Sequence, residues 1–174
     1  MIESHSAAKS RPAPQAQPLA KRAAGSSCSG RLRVVRSKPP IDNEICVSIR
    51  SNSDILEARR QGRELAASLG FSSIDCTLIA TAISELSRNI VLYAGSGEIR
   101  LREERLLGTA GIMITAVDQG PGIRDVRSAL QDGYSTSRGL GLGLPGVKRI
   151  MDEFEVISKP RQGTTVTVKK WKSI

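Results

Sequence analysis

Apolar positions recur along this chain with two different periods, and the places where the period changes mark out its elements. From Glu44 to Arg50, Ile45, Val47 and Ile49 alternate with Cys46, Ser48 and Arg50, the period of a half-buried strand. Asp54 is placed to cap the next helix, with Glu57 at capping-box distance. Ile55, Ala58, Leu65 and Leu69 form one helical stripe that Gly70 closes. Ser72 or Ser73 opens a longer helix, Ile74 to about Tyr93, whose buried side is Leu78, Ala82, Leu86 and Ile90 and whose stop is Gly95. Ile99 and Leu101 predict a strand, Leu107 to Gly111 a turn, and Ile112 to Asp118 a central strand. A short helix is expected over Asp125 to Asp132. Pro145 suits the first turn of another helix reaching about Phe154. Glu155 to Ser158 and Thr164 to Lys169 alternate as a closing hairpin around Gln162-Gly163. Strands adjacent in sequence mostly lack a helix between them. The expected fold class is therefore α+β, a two-layer α/β sandwich with a mixed, mostly antiparallel sheet and helices on one face.

Composition divides the chain. Residues 1–41 carry Lys9, Arg11, Lys21, Arg22, Arg31, Arg33, Arg36 and Lys38 against Glu3 alone, so +7 of the net +9 lies there. This stretch is rich in Ala, Ser and Pro and cannot bury enough apolar surface to offset its ordering entropy. It is expected to be a disordered basic N-terminal extension, with residues 42–174 as the folded domain. Its acid-poor, Arg- and Ser-rich character also matches organelle transit peptides, a weaker reading. Because the positive charge is not on a folded face, nucleic acid is not an expected partner. Cys28, Cys46 and Cys76 are odd in number and form no CxxC pair, which argues against a zinc site or a disulfide framework and fits a reducing cytoplasm. The longest apolar run, Ala110 to Val117, is far short of the ~20 residues that span a bilayer, so no membrane association is expected. His5 is the one histidine, and it lies in the basic extension.

Four groups of residues carry candidate chemistry. Asp118 ends an apolar strand and is followed by Gly120 and Gly122. Glycine lets a flat ring approach the backbone, and the carboxylate can accept from the exocyclic amine of adenine, where guanine would present a repelling carbonyl. The competing reading is a turn in which Asp118 caps the following segment. Gly139, Gly141, Gly143 and Gly146 leave successive N–H groups unobstructed at a helix start, a cradle for polyphosphate. Their spacing matches the dinucleotide fingerprint, but no strand leads into it, and no Gly-Lys-Ser/Thr makes it a Walker A loop. Glu85 and Asn89 stack one helical turn apart. They are either a solvated face or a functional pair, in which the Asn89 amide oxygen suits Mg²⁺ and Glu85 orients or deprotonates an attacking hydroxyl. Gly163-Thr164-Thr165 supplies hydroxyls that can support Asp118.

Together and in this order these groups resemble the GHKL ATPase superfamily, which has the Bergerat ATP-binding fold. Glu85-Leu86-Ser87-Arg88-Asn89 resembles its N box, Asp118 to Gly122 its G1 box, Gly139 to Gly143 its G2 box and Gly163-Thr164-Thr165 its terminal Gly-Thr element. The stretches TAISELSRNIVLYAGSGEI, DQGPGI, DGYSTSRGLGLGLPGVKRIMDEF and GTTV are similar to the RsbT-type switch-protein serine/threonine kinases and their anti-sigma relatives. The resemblance implies an ATP- and Mg²⁺-dependent kinase of a stressosome-type partner-switching module. It would phosphorylate STAS-domain proteins and activate a serine phosphatase of the PPM class by binding it. The alternative is a nucleotide-gated anti-sigma factor that sequesters a partner such as a sigma factor, with little kinase activity. The implied site has Glu85 as catalytic residue and Asn89 on the metal. Nucleotide contacts come from Asn89, Asp118, Gly120, Gly122, Ile123, Ser135, Thr136, Ser137, Gly139, Leu140, Gly141, Leu142, Gly143, Thr164 and Thr165. The lid, Arg124 to Arg138, is short. A histidine kinase would need a phosphoacceptor histidine in the folded region. Gyrase-, MutL- and Hsp90-type machines need a second domain, which is not expected after Ile174.

Overall fold

The computed structural model describes residues 44–131 and 143–173; the basic extension and the stretch 132–142 lie outside the described residues. The elements run β1 (Ile45–Ile49), α1 (Asn52–Ser68), α2 (Ser73–Asn89) with a π turn (Ile90–Ala94), β2 (Gly97–Leu106), β3 (Thr109–Asp118), α3 (Val126–Ala129), α4 (Gly143–Ile150), β4 (Glu153–Ser158) and β5 (Thr164–Trp171). The five strands form one sheet in the order β1-β2-β3-β5-β4. All four pairings are antiparallel, so the parallel component expected of a mixed sheet is absent from the described residues. The fold is α+β, with α1, α2 and α4 packed on one face.

The alternation read from the sequence sorts side chains to that face. Val47, Ile49, Ile99, Leu101, Ile112, Ile114, Val166 and Val168 are buried against Ile79, Ile83, Leu86 and Ile90 of α2 and its π turn and against Val147 of α4. Each fully buried aliphatic side chain contributes roughly 1.5–3 kcal/mol, so the sheet-to-helix seam dominates stability. The opposite face carries charged residues, including Arg100 beside Glu98, Arg102 beside Glu104 and Lys169 beside Glu153. No helix among the described residues is long and apolar enough to cross a membrane.

Several local expectations are corrected. Ser51, not Asp54, is the N-cap of α1, and Asp54 is its capping-box partner, accepting from the Ser51 N–H at 2.9 Å. On α2 and its π turn, Ala82, Leu86 and Ile90 are buried as expected and Ile79 and Ile83 join them, whereas Leu78 is only partly covered. The turn after β2 shrinks to Leu107 and Gly108, both at positive φ. Gly111 is within β3, paired with Glu104 and Trp171, and the Trp171 ring lies where a side chain would be, 2.4 Å from an added Cβ. The same packing extends β5 to Trp171. Helix α4 ends at Ile150 rather than Phe154. Asp152 there bonds to β5 through its N–H to Lys169 O at 2.9 Å and its carboxylate from the Trp171 N–H at 2.7 Å, which turns the chain into β4.

Candidate nucleotide-binding site

The site forms where one cross-strand row ends the sheet. Gly97, Asp118, Thr164 and Ser158 are register partners in turn across β2, β3, β5 and β4. Asp118 shares its parity with buried Ile112, Ile114 and Ala116, and Thr164 with Val166 and Val168, so both side chains stand on the helical face. Thr165 falls on the opposite face, so the structure does not bring its side chain to Asp118.

Asp118 is held asymmetrically. Its Oδ1 accepts from the Gly120 N–H at 2.8 Å and from the Thr164 N–H at 3.2 Å. Its Oδ2 takes no hydrogen bond among the described residues. The first bond makes the turn that was the competing reading of this residue; the free oxygen leaves the base-recognition reading intact. Both can hold at once.

The glycines around Asp118 have packing reasons of their own. Gly122, at φ +70°, sits against the Lys159 carbonyl, 2.1 Å from an added Cβ, and Gly163, at φ +79°, lies as close to the Asp118 carbonyl. Any larger residue would push the loop off the β4–β5 turn. The two are further tied by the Arg161 N–H donating to Pro121 O at 2.7 Å. Gly120 faces Ala94 of the π turn, whose Cβ would be 2.7 Å from a new side chain. The π turn itself was not foreseen: the α2 pattern continues smoothly to Tyr93, and only the closure onto the glycine loop reveals the wider turn.

Ser158 was also missed. Its Oγ accepts from the Ile123 N–H at 2.8 Å, lies 3.0 Å from the Gly163 carbonyl and 2.9 Å from Thr164 Oγ1. A lone serine ending a strand carries no signal in the sequence, since its partners are distant segments.

Glu85 is 8% exposed, one of two buried polar residues in the domain's described core. Its Oε1 accepts from Arg88 Nη1 at 2.9 Å and its Oε2 from the Gly143 N–H, the first amide of α4, at 3.3 Å. The helix positive end offsets part of the cost of burying this charge. Asn89, one turn on, is half-buried and its amide makes no hydrogen bond among the described residues. No cluster of three or more His, Cys, Asp or Glu suited to a metal occurs among the described residues. Ser135, Thr136, Ser137, Gly139, Leu140, Gly141 and Leu142 lie outside the described residues.

Comparison with known proteins places these features. The histidine kinase-, DNA gyrase B- and HSP90-like ATPase family matches residues 74–173. The serine/threonine-protein kinase RsbT of Bacillus subtilis is 50% identical over 131 residues, covering 75% of this chain and 98% of that protein. An anti-sigma F factor of Caldanaerobacter subterraneus is 34% identical over 97 residues, 53% of this chain and 68% of that protein. The RsbU and RsbW domains of a Mycobacterium tuberculosis protein superpose with a TM-score of 0.52 at 20% identity, over 74% of this chain and 32% of that one, a likeness of fold.

Proposed function

The chain belongs to the histidine kinase-, DNA gyrase B- and HSP90-like ATPase family, and from that premise we infer that it is a protein serine/threonine kinase of a partner-switching module with ATP as donor. The observation that supports this reading is the meeting of buried Glu85 with the Gly143 amide, which sets a carboxylate at the start of α4, the helix we assign to the phosphates. At the other end, Asp118 offers its free Oδ2 to the adenine amine while Oδ1 fixes the loop. Gly120, Gly122 and Ile123 line the approach between them, and Thr164 stands beside the carboxylate.

Mg²⁺ fits Asn89. The amide oxygen is a hard donor, uncommitted among the described residues and one turn from Glu85, and a single protein ligand is what a cation delivered on triphosphate requires. Bound there, it would neutralise charge on the transferring phosphoryl group. Glu85 then positions the substrate hydroxyl and accepts its proton, held in orientation by Arg88. Substrates of this chemistry are serines or threonines on STAS-domain proteins. A serine phosphatase of the PPM class is the partner for binding, and the cytoplasm is the compartment.

The test is incubation of the full chain with γ-labelled ATP and candidate STAS proteins. Label on a serine or threonine, lost in Asn89→Ala, is expected. ATP-sensitive complexes that never acquire label would overturn the kinase in favour of a nucleotide-gated clamp of the kind the anti-sigma relatives suggest.

A further inference from the structure

We propose that Ser158 is a specificity-determining positioning residue. Its hydroxyl fixes the hydrogen direction at Thr164 and so makes the base end of the site a surface of acceptors that selects a 6-amino purine. The inference rests on the nucleotide site described above and deepens it.

Ser158 Oγ has one proton and two lone pairs. It accepts from the Ile123 N–H at 2.8 Å, and it has two further neighbours, the Gly163 carbonyl at 3.0 Å and Thr164 Oγ1 at 2.9 Å. The carbonyl can only accept, so the Ser158 proton goes to Gly163. The contact with Thr164 is then a hydrogen bond only if Thr164 is the donor. This is the one arrangement in which all three contacts are bonds, and it fills every position on Ser158. Thr164 has thereby spent its proton and presents lone pairs alone. Its cross-strand partner Asp118 is an acceptor too, through Oδ2. An amine on the purine ring meets complementary groups here, whereas a ring carbonyl meets oxygens of its own polarity and loses its water without replacement.

Ser158 also joins three segments that have to agree for a base to fit: the end of the glycine loop at Ile123, the turn at Gly163 and the strand at Thr164. It touches none of the reacting atoms. Its effect is therefore expected on binding and base choice, not on the phosphoryl step.

The experiment titrates ATP and ITP, which differ in the 6-substituent and in the proton that ITP carries on N1, into the full chain by calorimetry, comparing wild type, Ser158→Ala and Ser158→Thr, with a thermal melt of each. Ser158→Ala frees the Thr164 proton. Its Kd for ATP should rise about tenfold, the size of one buried hydrogen bond, with little change for ITP, so the discrimination ratio shrinks about tenfold. Ser158→Thr, which keeps the hydroxyl, should restore the ratio. If Ser158→Ala melts too low, Ser158→Cys keeps the volume with a poor hydrogen-bonding group and should show the same collapse. A folded variant with the wild-type ratio would overturn the role of Ser158 while leaving the nucleotide site in place. A wild-type chain that binds no ATP would overturn both.

Discussion

Glu85 Oε2 and the Gly143 amide are 3.3 Å apart and 58 residues apart in sequence, joining α2 near its C-terminal end to the start of α4. The bond gives Glu85 two separable duties. It caps α4 structurally, and in the proposed kinase it would hold a carboxylate where a substrate hydroxyl arrives. Glu85→Gln keeps an oxygen for the Gly143 N–H, gives up only the bond from the half-exposed Arg88 guanidinium, and loses the base. Phosphotransfer should fall about 100-fold or more while the melting temperature changes little. Glu85→Ala should lose the same activity and in addition about 1 kcal/mol of stability, the worth of a cap, or about 3 °C in a melt. Paired melts and label-transfer assays separate the two duties. Equal melting losses in both variants would remove the capping role.

The division of labour in Asp118 predicts a comparable split. Asn at this position still offers Oδ1 to the Gly120 and Thr164 amides, so the loop should stay in place. Its NH₂ group replaces Oδ2 and opposes the adenine amine donor to donor. Calorimetry should show ATP affinity reduced by about tenfold or more, with the melt nearly unchanged. Asp118→Ala, which loses both amide partners, should also destabilise the fold by about 1–3 kcal/mol. If Asp118→Asn bound ATP as tightly as wild type, base recognition would lie elsewhere.

What the sequence made legible follows one division. Features set by local period and burial, such as the alternation in β1 or the stripe on α2, could be read directly, because the hydrophobic effect acts on each residue independently of its distant neighbours. Features set by a remote partner could not. Gly111 reads as a turn residue until Trp171, far along the chain, is seen lying on it. Helix α4 reads as continuing past Ile150 until Asp152 is seen bound to β5. Asp118, Gly122 and Thr164 were visible as an ordered set, yet the packing reason for Gly122, the Lys159 carbonyl against it, was not. Ser158 had no signature at all.

Acid sensitivity follows from surface carboxylates held in their ionised form. The Arg60 hydrogen bond, aided by Gln61, holds Glu57 down at about 2, from an ordinary value of 4.5. Ser128 lowers Asp125, and Lys169 with Trp171 lowers Glu153. A carboxylate depressed in the folded state adds stability above its unfolded pKa, and that contribution disappears as pH falls through the folded value. Urea midpoints should therefore be flat near neutrality and decline between about pH 4.5 and about 2. Because these groups are exposed, about 0.5 M salt should shrink the decline. Glu57→Gln should remove part of it. A Glu57→Gln variant with the full wild-type slope would show that the Arg60 pair contributes nothing to the acid limb.

Two glycines with nearly the same backbone angle isolate the cost of packing from the cost of conformation. Gly95, at φ +75°, has open space where a Cβ would go, whereas at Gly122, φ +70°, the Lys159 carbonyl would be 2.1 Å away. Gly95→Ala therefore bears only the backbone strain of φ +75°, ψ −32°, about 1–3 kcal/mol. Gly122→Ala bears that strain and must also push apart the glycine loop and the β4–β5 turn, which the Arg161-to-Pro121 bond holds together. Its loss should reach about 3 kcal/mol or more in denaturant titrations. Nucleotide affinity should fall with it, because the displaced loop carries Gly120 and Ile123 away from Asp118 and Ser158. Equal stability losses in the two variants would mean that the loop can yield at Gly122 without cost, and the close approach of its backbone to Lys159 would then have no part in shaping the site.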